Sequence, residues 1–196
     1  MIYKTLIDPL LKGLHRQVVS LAPPGKRILD IACGHGTLAM MLALVKGCEV
    51  TGIDLEASKI SKATEEARKK TLSNLNFLVM DATDLSPFGD KAFDVALTSM
   101  AIHQFSPEAG LKVMMEMKRV ARTIIIADYA WPMPGNFYGW LARSIEWMAG
   151  GEHHRNFLQY MKNGGLEPLL DRAGIKMTGS HPQGKGTMAI TSGICE

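Results

Sequence analysis

A chain of 196 residues, 46% hydrophobic and 21% charged with a mean hydropathy of +0.03, is long enough to bury a sizeable core in a single domain. Its 22 basic and 19 acidic residues leave a net charge of +3, too balanced for a nucleic-acid partner. No stretch approaches the roughly 18 continuous apolar residues of a membrane span, and Lys4, Asp8 and Lys12 interrupt the N-terminal stretch too early for a signal peptide. Cys33, Cys48 and Cys195 are odd in number and form no C-x-x-C, so neither a disulfide framework nor a structural zinc site is expected. Reduced thiols point to the cytoplasm.

Residues 2–22 open on a helical pattern in which Leu10, Leu11, Leu14, Val18 and Leu21 share a face. Asp8 reads as its cap, with Pro9 at the first helical position, and Pro23-Pro24-Gly25 ends it. Arg27–Ala32 is a short, almost wholly apolar strand, as expected of a parallel strand covered on both faces. Gly34-His35-Gly36 makes a turn, and Gly36 to Lys46 continues as a helix. Glu49–Asp54 is the second strand. Lys59–Thr71 is an amphipathic helix whose mixed charges form a solvated face. Asn76–Met80 is the third strand, with Asp81 where it stops, and Phe93–Thr98 is the fourth. Ser106-Pro107-Glu108 starts a helix running to Val120, and Thr123–Ala127 is a fifth strand next to Asp128.

Five alternations of strand and helix predict a doubly wound α/β fold with a mostly parallel sheet. Ligands of such sheets bind beyond the carboxyl ends of the strands, where Asp30, Asp54, Asp81 and Asp128 fall. Residues 129–162 break the alternation and hold all three tryptophans. Phe137, Trp140, Leu141, Ile145 and Met148 make one helical face, with Tyr138 and Trp147 off it. Following the fifth strand, this insertion is expected over the ligand rim, either as core packing or as a lid for an apolar or aromatic substrate. Leu166–Ala173 is a last helix stopped by Gly174. Ile175–Ser180, a turn at 182–186 and Thr187–Thr191 form a closing antiparallel hairpin.

Strand, glycine turn and helix together let a backbone approach a ligand and aim helix N–H groups at its negative end. Gly34-x-Gly36-x-x-Ala39, with Asp54 about 20 residues beyond the turn, also satisfies a dinucleotide fingerprint. Asp30, inside the strand before the glycines, and Asp81 after the third strand have no place in that fingerprint.

These pieces together resemble the class I S-adenosylmethionine-dependent methyltransferases, in particular the small ubiquinone/menaquinone-biosynthesis-like branch. I-L-D-I-A-C-G-H-G is similar to the family's D-x-G-x-G-x-G motif, with Ala32 in place of the first glycine. V-T-G-I-D-L, F-L-V-M-D-A-T and F-D-V-A-L-T-S-M-A-I-H are similar to the next three strand ends. The resemblance covers about residues 26–130 and implies a seven-stranded Rossmann-like methyltransferase fold, one domain over 1–196 with a substrate or lid insertion at 129–162. It also implies a site. The backbone of Ala32, Cys33, Gly34 and Gly36 would lie against the methionine half of S-adenosylmethionine, and Asp30 would orient its ammonium. Asp54 would accept from both ribose hydroxyls and Leu55 would pack on the adenine. Asp81 and the Ala82 amide would meet the adenine edge, and Thr98 and Ser99 would line the side nearest the sulfonium.

Methyl transfer from a sulfonium needs alignment, exclusion of water and in some cases a base, because the cofactor carries most of the reactivity. His103, after the fourth strand, is the candidate base, with Asp128 and Tyr129 as second candidates. His153 and His154 are adjacent, so their side chains diverge; no metal is expected. Cys33 reads as a small buried residue. The expected activity is methyl transfer to a small apolar or aromatic acceptor, the acceptor itself being unassigned. A nicotinamide-dependent oxidoreductase and a non-catalytic cofactor-binding subunit are the alternatives.

Overall fold

In the computed structural model, residues 2–196 are described, with side chains from Leu11 onward. The elements are α1 (Ile2–Leu21), β1 (Arg27–Ile31), α2 (Thr37–Lys46), β2 (Glu49–Asp54), α3 (Ala57–Lys69), β3 (Leu75–Val79) and β4 (Phe93–Ser99). After a 3-10 turn at Ile102–Gln104 come α4 (Pro107–Val120), β5 (Ala121–Tyr129), α5 (Phe137–Ala149), α6 (Gly151–Lys162), α7 (Glu167–Ala173), β6 (Lys176–Gln183) and β7 (Met188–Ile194).

The seven strands form one sheet in the order β3-β2-β1-β4-β5-β7-β6. The first five are parallel, and β7 runs antiparallel to both β5 and β6. From β1 the chain winds outward through β2 to β3, then returns to lay β4 on the other side of β1. The strand order therefore reverses between β1 and β4, and a crevice opens at their carboxyl ends. Beneath it, Ile28, Leu29, Val95, Leu97, Ile124 and Ile126 are almost wholly buried, the composition that parallel strands covered by helices require.

Local chemistry explains the helix starts that matter for the site. Ser106 Oγ accepts from the Ala109 amide at 3.2 Å, with Pro107 at the first helical position of α4. Asn136 does the same for α5, its Oδ1 accepting from the Gly139 amide at 3.0 Å.

The structure departs from the sequence reading in three places. α1 starts at Ile2, so Asp8 and Pro9 lie within it; the cap read at Asp8 concerns a side chain outside the described ones. β5 continues past Ala127, because antiparallel β7 pairs with Asp128 and Tyr129 (partners Ala189 and Met188) after parallel β4 has ended. Both residues therefore sit inside a strand rather than beyond it. Third, the insertion is two helices, separated at Gly150 and Gly151, both at positive φ. The face of α5 that turns inward is Gly139, Ala142 and Glu146, while Phe137, Trp140, Trp147 and Met148 are more than 60% exposed. Of the two alternatives, core packing does not hold for the aromatic face; α5 instead buries a carboxylate that has partners inside.

Candidate active site

The loop from β1 to α2 is built on backbone geometry. Ala32, Gly34 and Gly36 all have positive φ, at 55°, 56° and 72°. Ala32 adopts this region although its Cβ disfavours it. A Cβ on Gly34 would meet nothing within 4 Å, so the Cα side of the turn is open there. The Cys33 amide donates to the Ile53 carbonyl at 2.9 Å and ties the loop to β2.

Asp54, at the end of β2, organises the loop from the other side. Its Oδ2 accepts from the Gly34 amide and its Oδ1 from the Glu56 amide, each at 2.9 Å. Each carboxylate oxygen has a second lone pair for a ligand hydroxyl. Leu55 follows, 71% exposed at the rim. Asp81 is exposed, and its Oδ1 accepts from the Thr83 amide and hydroxyl at 2.8 and 2.9 Å, which fixes the turn carrying the buried Ala82. The structure thus gives both carboxylates local backbone jobs and leaves acceptor capacity on each.

Three buried side-chain oxygens at the carboxyl ends of β1 and β4 have no hydrogen-bond partner among the described residues: Asp30 Oδ2, Thr98 Oγ1 and Ser99 Oγ. Unpaired buried polar atoms are costly, and a group of them points to a ligand or ordered water. Burial raises the Asp30 carboxyl to about 8; the Ala39 amide opposes this and the Asp54 charge adds to it. Burial, with Asp30 and Asp54 nearby, also pushes the Cys33 thiol upward, so it stays protonated and is no nucleophile. All eleven residues expected to hold a cofactor lie on β1, β2 and β4 or directly after a strand end.

The second half of the site centres on His103, in the 3-10 turn after β4. His103 Nδ1 is 2.6 Å from Asp128 Oδ1, and both side chains are almost fully buried. Asp128 also accepts from the amides of Ile102 at 2.8 Å, His103 at 3.3 Å and Tyr129 at 2.7 Å. A carboxylate receiving three N–H groups is an acceptor, so Nδ1 of His103 carries the proton and Nε2 presents a lone pair. Burial disfavours a charged imidazole, yet Asp128 and then Glu146 outweigh it, holding the His103 pKa above its ordinary value. Asp128 is therefore the anchor of the imidazole, and Tyr129 is committed too, its hydroxyl donating to Glu146 Oε1 at 2.7 Å.

Glu146 and His153 were not found by sequence reasoning. Glu146 is 4% exposed and pairs through Oε2 with His153 Nε2 at 2.5 Å. The signal was Glu146, the one carboxylate of Phe137–Ala149, seven residues before a histidine; with the adjacent His153 and His154 read only as a pair, it went unused. The rings of His103 and His153 are 5.6 Å apart. These residues, with Met100, Tyr129, Ile145, Met188 and others, line a cavity of about 240 Å³. Met100, on its wall, directly follows Ser99 in the chain.

Glycine turn, strand-end carboxylates and an adjoining mixed cavity at a switch point define an α/β protein that holds a nucleoside-bearing cofactor beside a small-molecule pocket. Residues 28–123 match the family model of a methyltransferase domain. The chain is 31% identical over 151 residues to a ubiquinone/menaquinone biosynthesis C-methyltransferase of Rhizobium meliloti (strain 1021), covering 69% of this chain and 58% of that one. It is 41% identical over 104 residues to a 2-phytyl-1,4-naphtoquinone methyltransferase of Synechococcus elongatus, covering 48% and 44%. The chain thus spans about half the length of these curated relatives. The fold matches the crystal structure of a SAM-dependent methyltransferase from Aquifex aeolicus with a TM-score of 0.69 at 20% identity, over 93% of this chain and 89% of that one. Together these findings support a class I S-adenosylmethionine-dependent methyltransferase, and the sheet is the seven-stranded, mostly parallel one expected, with an antiparallel C-terminal hairpin.

Proposed function

We propose that this protein transfers the methyl group of S-adenosylmethionine to a small apolar or aromatic acceptor. The observation that carries the reading is the unpaired buried Asp30 Oδ2 at the end of β1, with Thr98 Oγ1 and Ser99 Oγ also unpaired at the end of the adjacent β4. The ammonium of the cofactor supplies a donor to Asp30. Asp30 would face the ammonium, the Ala32–Gly36 backbone the methionine chain, and Asp54 the ribose. Leu55, Asp81 and Ala82 would hold the adenine, and Thr98 and Ser99 would line the sulfonium side.

The acceptor would enter the cavity between Met100, Ile145 and Met188. The relatives' names, a quinone-biosynthesis and a phytyl-naphtoquinone methyltransferase, support an apolar aromatic acceptor. When bound, the cofactor supplies an electrophilic methyl on sulfur. The protein's part is to align the attacking atom, exclude water and receive a proton at His103 Nε2, with Asp128 holding the ring. Asp128 and Tyr129 act through their neighbours. We take residues 1–196 as one methyltransferase domain with 129–162 as its substrate-side insertion. Three unpaired cysteines and a balanced charge support a cytoplasmic enzyme acting on a small molecule rather than on nucleic acid. No helix among the described residues is long and apolar enough to cross a membrane.

Calorimetry with S-adenosylhomocysteine and with NADH tests the cofactor: binding of the former alone is expected, and binding of NADH alone would overturn the reading. Release of S-adenosylhomocysteine across a panel of phenols, hydroquinones and isoprenoid quinones tests the activity. Cofactor binding without transfer to any acceptor would favour a non-catalytic subunit. His103→Ala is expected to slow transfer with cofactor affinity nearly intact.

A further inference from the structure

The insertion delivers two residues, Glu146 and His153, to the one imidazole that the sheet already holds in place. We propose that His103, Glu146 and His153 form a binding site for one divalent transition-metal ion of the zinc class, with an open position facing the acceptor cavity. The nitrogen and oxygen donor atoms of the three side chains all lie within 4.8 Å of one another. Two imidazoles and one carboxylate, with a fourth position left over, make the donor set of catalytic zinc sites. Magnesium and calcium prefer oxygen-only surroundings, which this cluster does not provide.

Each donor is already oriented. Asp128 receives the Nδ1 proton of His103, which fixes the tautomer and turns Nε2 toward Glu146; a carboxylate behind a ligating histidine is the usual outer support of such sites. Tyr129 OH donates to Oε1 of Glu146, while Oε2 meets His153 Nε2. His103 Nε2 lies 3.7 Å from Glu146 Oε1, too far for a hydrogen bond. Donors about 2.1 Å from a tetrahedral ion stand roughly 3.4 Å apart. That separation requires the short His153–Glu146 contact to open by about 1 Å and the wider donor pairs, which lie within 4.8 Å of one another, to draw together. The proton shared in that contact is the one the ion displaces. His153 is half-buried at the cavity wall, which gives the ion an entry path, whereas His103 and Glu146 are buried.

The ion's role rests on the methyltransferase reading. It would receive an acceptor bearing an ionisable oxygen, a phenol or hydroquinone hydroxyl, and bind it as the oxyanion while its proton leaves to water. In that state His103 holds the ion, and the imidazole acts as base only in the metal-free protein. The oxyanion then bonds to the methyl group as the methyl–sulfur bond breaks, its electron pair staying on sulfur.

Chelator-treated full-length protein would be titrated with Zn2+ by calorimetry and with Co2+ by visible absorption, each metal alone. Expected are one ion per chain and the absorption of low-coordinate Co2+. Affinity should fall more than ~100-fold in His153→Ala and about 10–100-fold in Asp128→Asn, which loses only the outer support. S-adenosylhomocysteine binding to His153→Ala, unchanged from the parent, shows that this variant is folded. Absence of stoichiometric binding, or binding undiminished in His153→Ala, overturns the metal site and leaves the methyltransferase reading standing. Failure of the parent protein to bind S-adenosylhomocysteine overturns that reading, while one Zn2+ per chain would still establish the site.

Discussion

The ring of Phe77, on β3, occupies the space where a Cβ on Gly36 would stand, and the same ring lies against Gly52, where an added Cβ would come within 2.6 Å. One aromatic side chain thus sets the closeness of the glycine turn to β2 and β3. Gly36 also has φ 72°, a region that costs a residue with a Cβ roughly 1–2 kcal/mol. Adding about 1–3 kcal/mol for overpacking, Gly36→Ala is expected to lose on the order of 2–5 kcal/mol in denaturant unfolding. A loss below about 1 kcal/mol would mean that Phe77 moves freely and does not set the turn.

Asp54→Ala removes the acceptor of the Gly34 and Glu56 amides as well as the acceptor proposed for the ribose. S-adenosylhomocysteine affinity is expected to fall by ~1–3 kcal/mol, the range for hydrogen bonds to a charged group, or about 5- to 150-fold. Calorimetry on a variant with parental secondary structure measures this; unchanged affinity would remove Asp54 from the ribose site.

Asp30 links cofactor binding to pH. In the folded chain its carboxyl is raised from an ordinary value of 3.8 to about 8. The folded state therefore keeps a proton that the unfolded chain gives up. The contribution of Asp30 to stability is greatest below pH 4 and declines as pH rises from about 4 to 8. A cationic ammonium beside it favours the carboxylate. Affinity for S-adenosylhomocysteine should then increase between pH 6 and 8 by at most about tenfold per unit, with release of up to one proton. Asp30→Asn is expected to flatten that pH dependence and weaken binding. It should also raise stability at pH 8 by at least ~1 kcal/mol, about 2–4 °C in Tm for a chain of this size. Calorimetry in buffers of different ionisation enthalpy counts the protons, and a pH-independent affinity in the parent would remove Asp30 from contact with the ammonium.

The sheet and the cofactor rim were legible because their signals are local. Apolar strands such as Arg27–Ala32 and Phe93–Thr98, each followed by a polar residue and a helix, fix the alternation and the rim together. Asp128 was legible as a rim carboxylate but not as the buried anchor of His103, since that role needs β7 to carry β5 two residues further. The insertion was the least legible part. Helical periodicity assigns Phe137, Trp140 and Met148 to the buried side, because periodicity weighs apolar surface and cannot see Tyr129 and His153 waiting for Glu146. A buried carboxylate is decided by its partners, and those partners come from a strand end and from the next helix.

Thr98 offers a test whose two outcomes run in opposite directions. Its hydroxyl is buried and has no partner among the described residues, and its backbone is paired with Ile31 of β1. Thr98→Val keeps the shape and removes an oxygen whose desolvation is uncompensated in the ligand-free protein, a cost of about 1–3 kcal/mol. The variant is therefore expected to be as stable as the parent or more stable by up to that amount, in contrast to most buried polar substitutions. Cofactor affinity should fall, because the oxygen is held unsatisfied for the ligand that arrives beside the sulfonium. Denaturant unfolding and S-adenosylhomocysteine calorimetry on the same preparation decide the matter. A variant that loses stability and keeps full affinity would show that Thr98 serves the sheet and not the cofactor.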